Sequence, residues 1–141
     1  MANDEPDAAM MAPIEALAAF MASGAERPPT DLFAAGEVTI LENFPPYLFS
    51  GPSAVADWAR GMREHLVGLS GLRHRFGAPQ NFGRTGDEVF VSLPTEWSGA
   101  SHGRRFIEHG GWCFVLRRQG GEWRIRSYGW AVTAISAATD A

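Results

Sequence analysis

The chain has 141 residues, 45% of them apolar and 11% aromatic, which suits one domain able to bury roughly two thirds of its unfolded surface. Its net charge of -4, with 20% charged residues, leaves no basic stripe to neutralise a phosphate backbone, so nucleic acid is not an expected partner. The opening MANDEPDAAM lacks the positive and apolar regions of a leader, and no apolar run approaches the ~20 residues that span a bilayer, so a cytoplasmic protein without a membrane partner is expected.

In chain order, residues 1–9 read as a flexible acidic tail, and Ile14, Leu17, Ala18 and Met21 recur at i, i+3, i+4 and i+7, predicting a helix that Gly24 stops. Pro28 and Pro29 interrupt the chain, and Thr30-Asp31 offers a cap for one short turn carrying Leu32 and Phe33 before Gly36. A strand follows in VTILEN (38–43), and it ends on a lone carboxylate, Glu42, ahead of the stiff turn at Pro45-Pro46. Burying an unpaired carboxylate costs several kcal/mol. Glu42 is therefore either solvated at a rim or held in a cavity for a chemical purpose, and both placements stay open. Pro52 suits a first helical position, after which Val55, Trp58, Ala59, Met62, Leu66 and Leu69 give a second helix an apolar face that Gly68 and Gly71 weaken.

From Arg73 the period drops to two. Val89, Val91, Leu93, Thr95 and Trp97 alternate with Phe90, Ser92, Pro94, Glu96 and Ser98, and Thr85-Gly86-Asp87 turns this strand back on the 73–82 segment. Two more strands, near 104–118 and 122–133, join through Gln119-Gly120-Gly121. Helices followed by antiparallel strands predict an α+β fold, a single domain over 10–136 with a tail at 137–141. Since neighbouring residues take opposite faces, either Glu96 or Trp97 points toward a cavity under the sheet, and a bulge would reverse which one. His109 titrates near neutrality and suits acid/base work, or it is an ordinary structural or surface histidine. His65, His74 and His102 are expected to be exposed. The four histidines lack metal-ligand spacing and no phosphate-cradling loop is present, so neither metal nor cofactor is expected. Cys113, the only cysteine, reads as a buried structural thiol and excludes an internal disulfide. Tyr47, Phe49, Trp58, Met62, Trp112, Tyr128 and Trp130 are drawn from several different elements and are the candidate contacts for a small apolar organic ligand, although core fillers would look the same.

Several of these stretches resemble one superfamily. The helix ending in Gly, the turn Asp-Leu-Phe-Ala (31–34), VTILEN, Ser-Gly-Pro (50–52) leading a Trp-bearing helix, and GGEWRIRSYGW (120–130) look like the nuclear transport factor 2-like superfamily, especially its SnoaL-like and ketosteroid-isomerase-like branch, over about residues 12–134. The resemblance implies a cone: a strongly bent mixed or antiparallel sheet around three N-terminal helices, with an open apolar pocket and with Tyr47 and Trp58 near its mouth. It places Glu42 within a residue of that branch's general base. It also places the branch's oxyanion-binding tyrosine near Leu17, and its neutral carboxylic acid near Trp112 or Cys113, where this chain has neither phenol nor acid. Removing one such donor typically costs ~10²- to 10³-fold, so steroid-type isomerisation is disfavoured. Two function classes follow. One is a cofactor-independent enzyme (isomerase, dehydratase or cyclase-like) with Glu42 as base and Glu96 or His109 as partner; the other is a non-catalytic ligand-binding or dimerisation module. Large aromatics in both alternating sets of strands 89–97 and 104–116 predict a homodimer through the sheet.

Overall fold

The computed structural model describes residues 5–26 and 30–137. The proline pair Pro28-Pro29, the first four residues of the expected tail and residues 138–141 lie outside the described residues. Helix α1, Ala8–Ala22, begins inside the stretch read from sequence as tail. Asp7 caps it by accepting the Met10 N–H at 2.9 Å, which satisfies one of the amides that a helix start leaves unpaired. Its buried stripe comprises Met10, Pro13, Ile14, Leu17, Ala18 and Met21, and Gly24 leaves it at φ +84°, a conformation glycine adopts without steric cost.

The short turn at Thr30–Leu32 is a single 3-10 turn. Among the described residues the fold therefore has two α-helices where the resemblance implied three, because the segment before Gly36 is too short to pack a further apolar stripe. Strands β1, Thr39–Leu41, and β2, Leu48–Phe49, form a small antiparallel pair. Helix α2, Ala54–His65, buries Ala54, Trp58, Ala59 and Met62 and leaves Asp57 and Arg60 outside as an ion pair at 2.9 Å. Leu69, read from sequence as the end of this helix's stripe, instead opens strand β3, Leu69–Phe76, after Gly68 turns the chain at φ +85°.

The remaining strands are β4, Asn81–Thr85, β5, Glu88–Ser101, β6, Arg104–Gln119, and β7, Glu122–Ala137. Together they make one seven-stranded sheet in the order β2-β1-β7-β6-β5-β3, with β4 paired to β5. Every pairing is antiparallel except β1 with β7, which is parallel and makes the sheet mixed. That one long-range pairing sets Ile40 beside Tyr128 and so brings the end of β1 to the middle of β7.

Cross-strand register assigns the faces, since directly paired residues share one face. Leu93, Trp112 and Trp130 form one rung and Val91, Phe114 and Tyr128 the next, all turned toward the helices. Trp58, Trp112, Phe114, Ile14, Leu17, Ile40 and Leu116 are fully buried between the layers, each contributing roughly 1.5–3 kcal/mol of apolar burial. Among the described residues no helix is long and apolar enough to cross a membrane.

Candidate functional site

Glu42 follows the last residue of β1, and its backbone N–H donates to the Tyr47 carbonyl at 2.9 Å while the Tyr47 N–H donates to Phe44 at 2.8 Å. These bonds close a turn around the cis peptide Pro45-Pro46 and keep the Glu42 side chain on the face of Ile40, toward the helices. There the carboxylate is only 7% exposed. Trp58 of α2 donates its indole N–H to Glu42 Oε2 at 3.2 Å, and the Tyr128 hydroxyl of β7 donates to the same oxygen. The rim placement that the sequence left open is not the one adopted.

Burial is the main influence on this carboxyl and raises its pKa from the ordinary 4.5 to about 7. The donors Tyr128, Trp58 and the Asn43 backbone pull it partly back, and the nearby Glu108 carboxylate pushes it up again. The Tyr128 phenol is driven well above its ordinary value, first by burial and then by the charge of Glu42, so it stays protonated as a donor.

The carboxyl looks into a cavity of about 80 Å³. The helix side supplies Met21, Met62, His65 and Leu66; the sheet supplies Leu69, Leu72, Trp97, Phe106, Glu108, Trp112 and Trp130; Asn43 adds a polar edge. Glu108 pairs with Trp97 across β5 and β6, accepts a hydrogen bond from Trp130, and has its pKa raised by burial. His65 stacks on Phe44 with ring centroids 4.7 Å apart and an interplanar angle of 24°, and burial lowers its pKa. Sequence reasoning missed Glu108 and His65. The signal for Glu108 was available, because it lies two and four residues before the inward-facing Gly110 and Trp112, on the same alternating set.

Of the expected ligand contacts, Met62, Trp112 and Trp130 line the cavity. Trp58 is wholly buried behind the carboxylate between Phe20 and Phe33, at 5.7 and 5.4 Å, and Tyr128 reaches Glu42 from the same side. Phe49 is a core residue packed on Phe44 at 5.8 Å. Tyr47 does not approach the cavity: it sits at φ +72° and is exposed, because the tight turn throws its side chain outward. Glu96 and His109 also lie elsewhere. They face each other in register on the outer side of the sheet, His109 Nδ1 3.8 Å from Glu96, with Arg75 at 3.3 Å from the same carboxylate. Thr95 and Trp97 take the inward positions on that strand, so alternation carries Glu96 away from Glu42.

The positions where the resemblance would put oxyanion donors hold Leu17, fully buried, and Trp112, whose indole N–H is buried without a hydrogen-bond partner. Edge-on rings of Tyr128 and Trp130 lie 5.9 and 6.0 Å from the Trp112 ring. Among the described residues no three potential metal ligands gather.

No protein-family model matches the sequence, and no curated protein matches it. Solved structures do match the fold. A candidate scytalone dehydratase from Novosphingobium aromaticivorans superposes with TM-score 0.73 at 12% identity, covering 94% of this chain and 87% of that one. A candidate ketosteroid isomerase from Shewanella frigidimarina gives 0.68 at 21% identity, covering 89% and 96%. A candidate dehydratase of the nuclear transport factor 2-like family from Streptomyces avermitilis gives 0.69 at 15% identity, covering 86% and 92%. The element order, the mixed seven-stranded sheet and these superpositions agree that the chain has the nuclear transport factor 2-like fold.

Proposed function

We propose that this protein is a cofactor-independent acid/base enzyme acting on a small, largely apolar metabolite held where the sheet bends over α1 and α2 to form an open cone, with Glu42 as the general base. The observation that carries the reading is the Glu42 carboxyl, buried in a cavity wall and poised at about 7, where a base is half ionised at neutral pH and strong enough to take a proton from carbon. Trp58 and Tyr128 tie down Oε2, which fixes the carboxylate plane and leaves Oε1 to receive the proton. Glu108 is the partner in this reading. Burial raises its pKa as well, which enlarges the share of molecules in which it holds a proton to give, so a proton removed by Glu42 is matched by one delivered from Glu108, either to a second carbon in an isomerisation or to a departing hydroxyl that leaves as water. Solvent then carries the proton from Glu42 back to Glu108. Structural neighbours described as an isomerase and as dehydratases support this reaction class.

A panel of small ketones and β-hydroxy carbonyl compounds in heavy water tests the reading. Exchange of the proton next to the carbonyl, followed by NMR, is expected with the wild type and is expected to drop at least ~10²-fold in Glu42→Gln; unchanged exchange in the variant would remove Glu42 from the chemistry. The lack of a phenol or acid at Leu17 and Trp112 favours a second reading, a non-catalytic binding module, for which saturable binding without exchange is the expected result.

A further inference from the structure

The charges around the cavity are one-sided. Among the described residues its polar lining consists of Glu42, Glu108, Asn43 and His65, with no arginine, and the chain contains no lysine. Elsewhere the same protein pairs its carboxylates with arginine: Asp57 with Arg60, Glu88 with Arg117, Glu96 with Arg75, and Glu122 with Arg124. Among the described residues no cation counts among the groups that shift Glu42 or Glu108. A buried carboxyl and a partly buried one side by side are costly to ionise, and a cation seated between them would offset that cost.

The walls point the same way. Trp97, Trp112, Trp130 and Phe106 border the cavity, and the faces of indole and phenyl rings carry negative potential that attracts an ammonium group. An anionic ligand would meet two carboxyls and no cation. From this juxtaposition of two carboxyls without a counter-cation among the described residues and three indoles around one cavity, we infer that the ligand is a small organic amine, bound as its ammonium ion with the nitrogen between Glu42 and Glu108 and the hydrocarbon part against the tryptophans. The inference names the ligand class for the cavity that the functional reading uses, and it rests on that cavity being a ligand site. A cavity of about 80 Å³ limits the enclosed part to a few heavy atoms.

The test uses the full chain and three probes of similar size: isobutylamine, isobutanol and isobutyrate. Each is titrated at pH 8, with ¹⁵N-labelled indole N–H resonances reporting binding. Isobutylamine is expected to bind at least ~10-fold more tightly than isobutanol, and isobutyrate not to bind. A second readout separates charge recognition from shape. In saturating isobutylamine the ¹³C-detected titration midpoint of Glu42 should fall below its free value of about 7, because a nearby cation favours the carboxylate, while isobutanol should not lower it. Glu108→Gln should bring the amine down to parity with the alcohol, and retained isobutanol binding in that variant shows that the fold persists. If isobutanol or isobutyrate binds as tightly as the amine, or if the amine leaves the Glu42 midpoint unmoved, the amine assignment is overturned while the cavity remains a ligand site. If none of the probes binds, the amine assignment and the functional reading both fall.

Discussion

Glu42 changes its proton affinity on folding, from an ordinary carboxyl at 4.5 to one at about 7. Between those two pH values the folded chain holds a proton that the unfolded chain has released, so stability falls as pH rises through this window and levels off above it. The whole change is about 3 kcal/mol. Glu42→Gln keeps the shape and cannot ionise. Urea unfolding at pH 5, 6, 7 and 8 should therefore show the variant gaining on the wild type as pH increases, with no further gain above about pH 8; parallel profiles would mean that the carboxyl is solvated. Tyr128→Phe bears on the same residue from the other side. Losing this donor removes the largest influence that holds the Glu42 pKa down, so its midpoint should move above about 7 in a ¹³C-detected titration, with a stability loss of roughly 1–3 kcal/mol.

Two adjacent glycines show how one strand is built. In β6 the pairing with β7 slips between His109 and Gly110, and at Gly110 a Cβ would lie 2.4 Å from the Ala131 carbonyl oxygen and 2.4 Å from the Trp130 ring. Backbone occupies that space and cannot yield cheaply. At Gly111, on the outer face, a Cβ would meet nothing within 4 Å. Gly110→Ala is therefore expected to cost roughly 2 kcal/mol or more and to disturb the Trp130 wall of the cavity. Gly111→Ala should stay within about 0.5 kcal/mol of wild type. Thermal unfolding of the two variants checks the contrast, and equal losses would show that the slip in register does not depend on close backbone approach. The two glycines are equivalent in the sequence pattern, and only the position of β7 separates them.

At the scale of the whole molecule, the sheet's outer face is where association is proposed. The expectation from sequence rested on large aromatics in both alternating sets, but Trp97, Trp112 and Phe114 all turn inward and only Phe90 represents them outside. The outer face offers instead a row in which exposed Leu48 and Leu41 are followed by Gly129 and Cys113 across four strands. Small residues in such a row let a second sheet approach closely, and exposed apolar patches of this kind mark interfaces. A two-fold dimer is expected, with light scattering at micromolar concentration giving twice the chain mass of 15.3 kDa, and Leu41→Arg is expected to return it to one chain mass. A wild type that scatters as a single chain would rule out this association.

What the sequence determined by itself was the order and type of the main elements, because hydrophobic period is a local property: α1 from Ile14, Leu17, Ala18 and Met21, and β5 from the alternation of Val89 to Trp97. It also singled out Glu42, since a lone carboxylate between an apolar strand and a proline turn is conspicuous without any partner in view. Only the tertiary structure decided where Glu42 is held. Its partners Trp58 and Tyr128 stand 16 and 86 residues away, and Tyr128 arrives through the one parallel pairing, which no local pattern announces. The same holds for Glu96 and Glu108. Alternation says that neighbours take opposite faces but not which face is buried, and that choice is made when the sheet closes over Trp58, Met62 and Ile14, setting Glu108 beside Glu42 at the cavity and leaving Glu96 on the outer face with Arg75.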